Sequence, residues 1–343
     1  MDAAASPAIA WADALRSGVL RGLCAIPGAR GWVLRLVDVR RRVLWVGLAG
    51  VAASALVALR FPFISLWLGA AVLGVPHVVS GVRHLAVRRR LSRATWWPIG
   101  GAILVGVLQL LGAGLWTGAA LTVAFSAAMA CEAVSGPRAG VPRRAALLVL
   151  AVLFGAASLR WPLRATILLS HAHALCSLLC FCLLSRRRAS GAWLVGAAAA
   201  AVMLLAFAGA FDAWLPAAPS VPASCADSLE ATRQLAAFPG AGALAQQRAL
   251  FAYAFGQALH YSIWVRFVPD VDRPASVPQS FRVAWDRLRR DLGRWAVPAA
   301  AACAVAPLLI LLGGSAGREG YFTLVYFHVG LEAAALVALL RAR

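Results

Sequence analysis

Of the chain's 343 residues, 62% are hydrophobic and only 13% are charged, and the mean hydropathy is +0.78, values that exclude an ordinary soluble domain. The formal net charge of +20 is carried by arginine, with no lysine in the chain. These arginines cluster in short stretches between apolar blocks, the positive-inside pattern of a membrane protein, and this excludes nucleic-acid binding as the reason for the charge.

Taken from the N-terminus, residues 1–42 form a basic segment expected on the cytoplasmic side. It does not read as a cleavable signal peptide, because its first arginines come after residue 15 and no compact apolar core with a small-residue cleavage site follows. Within it, "WADALRSGVLRGL" (11–23) reads as an interfacial amphipathic helix. Residues 43–343 then form a single transmembrane domain. Apolar blocks long enough to cross ~30 Å of hydrocarbon place ten spans at 43–59, 62–86, 97–115, 117–135, 145–160, 163–184, 191–211, 248–267, 296–312 and 321–340.

The connections alternate in charge. Arg16 to Arg42 precede the first span, "RRRLSR" (88–93) follows the second, "PRAGVPRR" (137–144) the fourth, "SRRR" (185–188) the sixth, and an Arg-rich segment (266–294) the eighth. The intervening connections carry few arginines, including the outer loop 212–247. Both termini are therefore expected in the cytoplasm, with the chain multi-pass in a bacterial-type inner membrane. The outer loop contains "DSLEATRQLAAF" (227–238), whose Asp227-x-x-Glu230 resembles a capping box. On the inner side, Phe281, Trp285, Leu288, Leu292 and Trp295 repeat at helical spacing among arginines, which predicts an amphipathic helix at about 279–295 lying on the anionic leaflet. The expected fold class is all-α, a polytopic integral membrane helix bundle.

The seven cysteines are not a disulfide framework. Cys131, Cys176, Cys180, Cys182 and Cys303 fall in spans, Cys24 in the cytoplasmic segment, and only Cys225 in the outer loop. "CSLLCFC" (176–182) reads as packing in a Leu-rich helix.

The six histidines all fall inside spans: His77 and His84 in the second, His171 and His173 in the sixth, His260 in the eighth and His328 in the tenth. The spans contain two acids, Glu132 and Glu332. All eight residues lie on even-numbered spans, which run parallel, and His77, His173, His260 and Glu332 share a depth near the middle. An ionisable side chain there is costly and marks a functional site by default. His77 and His84, seven residues apart, share a face but are separated by ~10 Å along a regular helix; His84 adjoins Arg83 and reads as an inner-rim residue. His171 and His173 point to opposite sides. His328 and Glu332 share a face at i,i+4. Gln257, His260 and Trp264 form one stripe. Several imidazoles in a dry cavity suit a transition metal that activates O2, axial ligation of haem, or a proton or ion pathway. The scarcity of buried carboxylates argues against an ordinary cation-coupled transporter, and no repeat suggests two transporter halves.

"LGVPHVVSGVRHL" resembles the Gly-hydrophobic-Pro-His motif of the Brp/Blh family of membrane β-carotene 15,15'-dioxygenases. In that family four histidines on separate helices are thought to hold a non-haem iron that cleaves a carotenoid. The resemblance implies His77, His173 (or His171), His260 ("ALHYSIWVR") and His328 ("VYFHVGLE") as ligands of one Fe(II); apart from the resemblance, His84 is a further possible ligand. Glu332, Gln257, Glu132 and Tyr261 would orient the imidazoles. The expected function is that of a membrane-embedded oxygenase-like metalloprotein using O2 on a carotenoid or other long apolar lipid drawn from the bilayer. The alternatives are a haem b electron-transfer subunit and a non-catalytic transporter or assembly protein.

Overall fold

The computed structural model describes residues 7–36, 38–88, 91–111, 117–135, 140–186, 189, 191–215, 240–271, 280–313, 317, 320–321 and 326–341. Among the described residues the chain is helical, with no strand. Cys225 and the expected helix at 227–238 lie outside them.

Two helices precede the apolar blocks, α1 (Pro7–Ala25) and α2 (Ala29–Arg35), joined at Gly28, whose φ of +78° suits glycine. Asp38 then caps α3 (Val39–Arg60), its side chain accepting from the Arg40 N–H at 3.2 Å. Next come α4 (Pro62–Val87), α5 (Trp96–Leu110), α6 (Thr117–Val134), α7 (Val141–Arg160), α8 (Pro162–Ser185) and α9 (Gly191–Phe207). α10 (Ala243–Ser262) continues through a π-helical turn, Ile263–Phe267, into Val268–Val271. After α11 (Phe281–Leu292), Gly293 at φ +56° breaks the direction before α12 (Ala296–Leu312), and the last helix is α13 (Phe327–Arg341).

A helix thus underlies each apolar block of the sequence. By length and composition five helical runs among the described residues qualify to cross a membrane: Val39–Arg60, Pro62–Val87, Val141–Arg160, Ile167–Ser185 and Phe281–Ile310. The final block differs from expectation at its start. Its helix begins at Phe327, so Tyr321 and Tyr326 precede it.

Two hairpins turn in the same way. Phe61 alone separates α3 from α4, with φ −138° and ψ 59°, and Trp161 alone separates α7 from α8, with φ −135° and ψ 66°. In both, a proline opens the second helix, where its missing N–H would have had no partner, and forces the preceding aromatic out of the helical region. The arginine before each aromatic lies over its ring, at 5.6 Å (Arg60–Phe61) and 5.7 Å (Arg160–Trp161).

The centre of the bundle is formed by α10 and α13. Residues Ala249 to Gln257 of α10 are all buried, as are His328 to Ala335 of α13, the signature of a helix surrounded by protein rather than lipid. Small residues allow the close approaches around them. Gly47 of α3 faces Val195 of α9, and Gly196 faces Cys182 of α8, and a Cβ on either glycine would overlap its neighbour. Cys180 and Cys182 are free and buried in this packing, as their setting in a Leu-rich helix predicts.

The two amphipathic helices do not lie apart. Both oxygens of Asp13, on α1, accept from the first backbone N–H groups of α11, Phe281 at 2.6 Å and Arg282 at 3.2 Å. A carboxylate at a helix N-terminus satisfies orphan donors and the helix dipole together.

Candidate metal centre

Four helices bring histidine to one point. His77 comes from α4, His173 from α8, His260 from α10 and His328 from α13, with Glu332 one turn beyond His328. The ring of His173 lies 4.2 Å from that of His260, and the ring of His77 lies 4.9 Å from His260 and 4.8 Å from His328, centroid to centroid. His260, His328 and Glu332 are all but inaccessible, and His77 and His173 are buried.

Glu332 occupies the middle of the cluster. Its Oε2 is 3.0 Å from Nε2 of His173, and its Oε1 is 2.8 Å from Nε2 of His328 and 3.8 Å from Nδ1 of His260. One donor atom from each of His173, His260, His328 and Glu332 lies within 4.8 Å of every other. Yet Nε2 of His260, both ring nitrogens of His328 and Oε1 of Glu332 make no hydrogen bond, though all are buried. The groups are close without being aimed at one another. Each such atom costs about 1–3 kcal/mol if left unsatisfied, so the set is better matched to a shared cation than to itself. Three imidazoles and a carboxylate are a donor set for a divalent transition ion.

Ser177, one turn past His173 on α8, fixes the protons. Its Oγ is 2.6 Å from Oε2 of Glu332 and 2.6 Å from Nδ1 of His260, and Nε1 of Trp264 lies 3.3 Å away. A carboxylate only accepts, so the hydroxyl donates to Glu332 and accepts from the Nδ1–H of His260 and the indole N–H of Trp264. His260 is thereby held in the tautomer whose Nε2 carries the lone pair. His77 is set similarly. Its Nδ1 lies 3.3 Å from the Leu73 carbonyl, an acceptor only, which puts the lone pair on Nε2, although His77, expected as a ligand, stands outside the group of four whose donor atoms converge.

Local backbone explains these positions. Pro76 has no N–H to offer the carbonyl four residues back, and the segment just before it, Gly69–Leu73, is π-helical. A second π segment, Val82–Val87, follows on the same helix, and the one at Ile263–Phe267 begins three residues after His260. Two glycines of the "LGVPHVVSG" stretch make room for what faces them: a Cβ at Gly81 would overlap the His328 imidazole, and one at Gly74 the Tyr321 ring.

A cavity of about 40 Å³ adjoins the cluster, bounded by His77, His173 and His328, enough for a few water molecules. All four tyrosines of the chain, Tyr253, Tyr261, Tyr321 and Tyr326, line it, together with Gln257. Tyr261 also packs its ring 4.8 Å from that of His77.

The remaining candidates lie elsewhere. His171 turns away from the cluster, its ring packing on Phe207 at 5.8 Å and Tyr253 at 5.7 Å, as its two-residue offset from His173 dictates. His84 lines a separate, arginine-rimmed cavity with Arg83 and Arg88. Glu132, read from the sequence as a group orienting the imidazoles, does not reach them. It accepts from the Ser92 N–H at 2.6 Å and the Thr95 hydroxyl at 2.7 Å and pairs with Arg341 at 3.5 Å. The sequence reading did not single out Ser177, Tyr253, Tyr321 or Tyr326. For Ser177 the signal was its i,i+4 spacing from His173.

No family model, curated protein or solved structure matches this chain.

Proposed function

We propose that this is a membrane-embedded oxidoreductase that holds one Fe(II) through His173, His260, His328 and Glu332, with His77 beside them. Its substrate is a carotenoid or another long apolar lipid, taken together with O2. The observation that carries this reading is the convergence of buried imidazole and carboxylate atoms, several of which have no hydrogen-bond partner. Bound iron would supply O2 activation at coordination positions left open by the protein. The chain's own part is orientation and exclusion of water. Ser177 and Trp264 hold the His260 tautomer, Leu73 that of His77, and the buried walls keep the donors in a medium of low polarity. The apolar bodies and single hydroxyls of the four tyrosines suit a polyene or acyl substrate better than a polar one.

The resemblance of "LGVPHVVSGVRHL" to the Brp/Blh carotenoid dioxygenases supports the same class. The donor set read here differs from the one implied by that resemblance, because Glu332 joins the imidazoles directly instead of orienting them from behind. A haem would need a flat slot between facing imidazoles, and these rings crowd edge-on against each other. Interhelical hydrogen bonding alone would leave fewer of these atoms without partners.

The chain crosses an inner membrane ten times with both termini cytoplasmic. Supporting this are the alternation of arginine between successive connections and the helix beneath each apolar block. The N-terminal helix also packs on α11 at the end of α4 that bears Arg83 and Arg88.

The test is detergent purification followed by elemental analysis and an absorption spectrum of one sample. About one iron per chain with no Soret band is expected, and a Glu332→Gln, His260→Ala variant should retain none. A Soret band that shifts on reduction, or a preparation without transition metal after reconstitution with Fe(II), overturns the reading. Expression in a carotene-accumulating bacterium, scored by loss of colour and appearance of retinal, then tests the substrate.

A further inference from the structure

A second cavity, of about 730 Å³, opens between α1, α11 and the ends of α3, α4 and α10, within the size range of sites that hold small organic ligands. One wall is apolar. Trp11, Leu15, Val19 and Leu23 of α1 recur at i,i+4 spacing and line it, and Trp11 is 68% and Leu15 55% exposed. The other wall is cationic, with guanidinium groups from Arg16, Arg42, Arg83, Arg88, Arg266 and Arg287.

Among the described residues two carboxylates pair with four of these six cations. Asp270 pairs with Arg42 at 3.3 Å and Arg266 at 3.2 Å, and Asp291 with Arg83 at 2.6 Å and Arg88 at 2.9 Å. Asp13 is engaged by the N-terminus of α11. Two arginines therefore share each of these carboxylates, and among the described residues the cavity lining carries six arginines and no acid, set against an apolar wall. We infer that it is a discrete binding site for one anionic phospholipid, whose phosphate sits among the arginines while its acyl chain lies along α1. A planar guanidinium fork matches phosphate oxygens in pairs, and basic pockets of this kind at the cytoplasmic side are suited to acidic headgroups. The site shares no residue with the histidine cluster.

Native mass spectrometry of the detergent-purified protein, titrated with phosphatidylglycerol or with phosphatidylcholine of the same chains, tests this. One phosphatidylglycerol per chain should survive mild activation, with phosphatidylcholine lost. An Arg16→Gln, Arg287→Gln variant should bind phosphatidylglycerol about thirtyfold more weakly, as expected for removing two cations at a membrane surface. A Val19→Glu variant, which puts a carboxylate on the apolar wall and leaves every arginine in place, should also lose the lipid, covering the case in which the double variant does not fold. Helix content by circular dichroism and iron content should match the parent in both. Equal retention of the two lipids, or unchanged phosphatidylglycerol affinity in a folded variant, overturns the site. Neither outcome bears on the metal reading, which has its own readout.

Discussion

The hydroxyl of Ser177 stands 2.6 Å from Nδ1 of His260 and 2.6 Å from Oε2 of Glu332, so one small side chain sets the proton of an imidazole and holds a carboxylate. A Ser177→Ala variant keeps every proposed donor atom but loses this control. Iron should still bind, about 10- to 100-fold more weakly, as when a group behind a metal ligand is removed. Competition with a chromophoric chelator measures it, and unchanged affinity would show that the tautomer is set by something else.

Five of the six histidines should divide cleanly. His173→Ala, His260→Ala and His328→Ala are each expected to lose iron, whereas His84→Ala and His171→Ala retain it, since those two rings face the arginine-rimmed cavity and the Phe207/Tyr253 pair. Metal content per chain is the readout. Iron loss in His171→Ala comparable to that in His260→Ala would mean that the cluster has been drawn around the wrong residues.

Gly81→Ala tests the packing behind the metal centre. Its new methyl would overlap the His328 ring, so the imidazole or the helix must shift, at a cost of about 1–3 kcal/mol for overpacking. Lower thermal stability together with weakened iron binding is expected. Parent-like behaviour in both would mean that α4 and α13 separate easily.

Glu132 should behave differently from Glu332. It ties the turn at Ser92 and Thr95 to Arg341 of the last helix, and removing one partner of a buried pair costs about 3–5 kcal/mol. Glu132→Gln is expected to lower the melting temperature and leave iron stoichiometry intact, read by thermal denaturation and elemental analysis side by side.

The corner between α9 and α10 should respond to acid. The hydrogen bond from Arg248 holds the Asp212 carboxyl below its ordinary value, outweighing its slight desolvation, with the guanidinium charge acting in the same direction. A depressed folded value means that the contribution is complete above the unfolded value of about 3.9 and fades as pH falls through the folded one. Amide exchange at the start of α10 should therefore be flat from neutral pH to about 5 after correction for intrinsic rates. It should accelerate below about 4, and Asp212→Asn should remove this dependence.

Much of this was legible in the sequence because membranes simplify the problem. Apolar length marked each helix, and the shared depth of His77, His173, His260 and Glu332 anticipated a cluster that the structure brings together. Depth also holds the reason Glu132 and His84 stand apart. Both lie in the last turns of their helices, away from the middle, and position along the helix separates them. Other features had a faint sequence signature or none. Whether Glu332 stands behind the imidazoles or among them depends on rotamers and helix rotation, which i,i+4 spacing to His328 leaves open. Tyr321 and Tyr326 were read as part of the last span, and their place on the cavity wall follows from a helix that begins only at Phe327. Ser177 was hidden because a serine in an apolar helix is commonplace, and its importance comes from neighbours on two other helices.

The π-helical segments of α4 carry a consequence for how the site can be altered. Each closes its turn with one residue more than an α-helix needs, and one residue corresponds to about 100° of rotation. Gly69–Leu73 lies just before His77, and Val82–Val87 contains His84. Removing a single residue from 69–73 would let the helix relax to ordinary pitch with His77 kept near its present angle to the Phe61–Pro62 corner, and removing a second would swing it by that step without changing any donor. Chain length between fixed corners, as much as side-chain identity, therefore specifies this centre, and comparing one- and two-residue deletions would find a determinant that alanine substitution passes over.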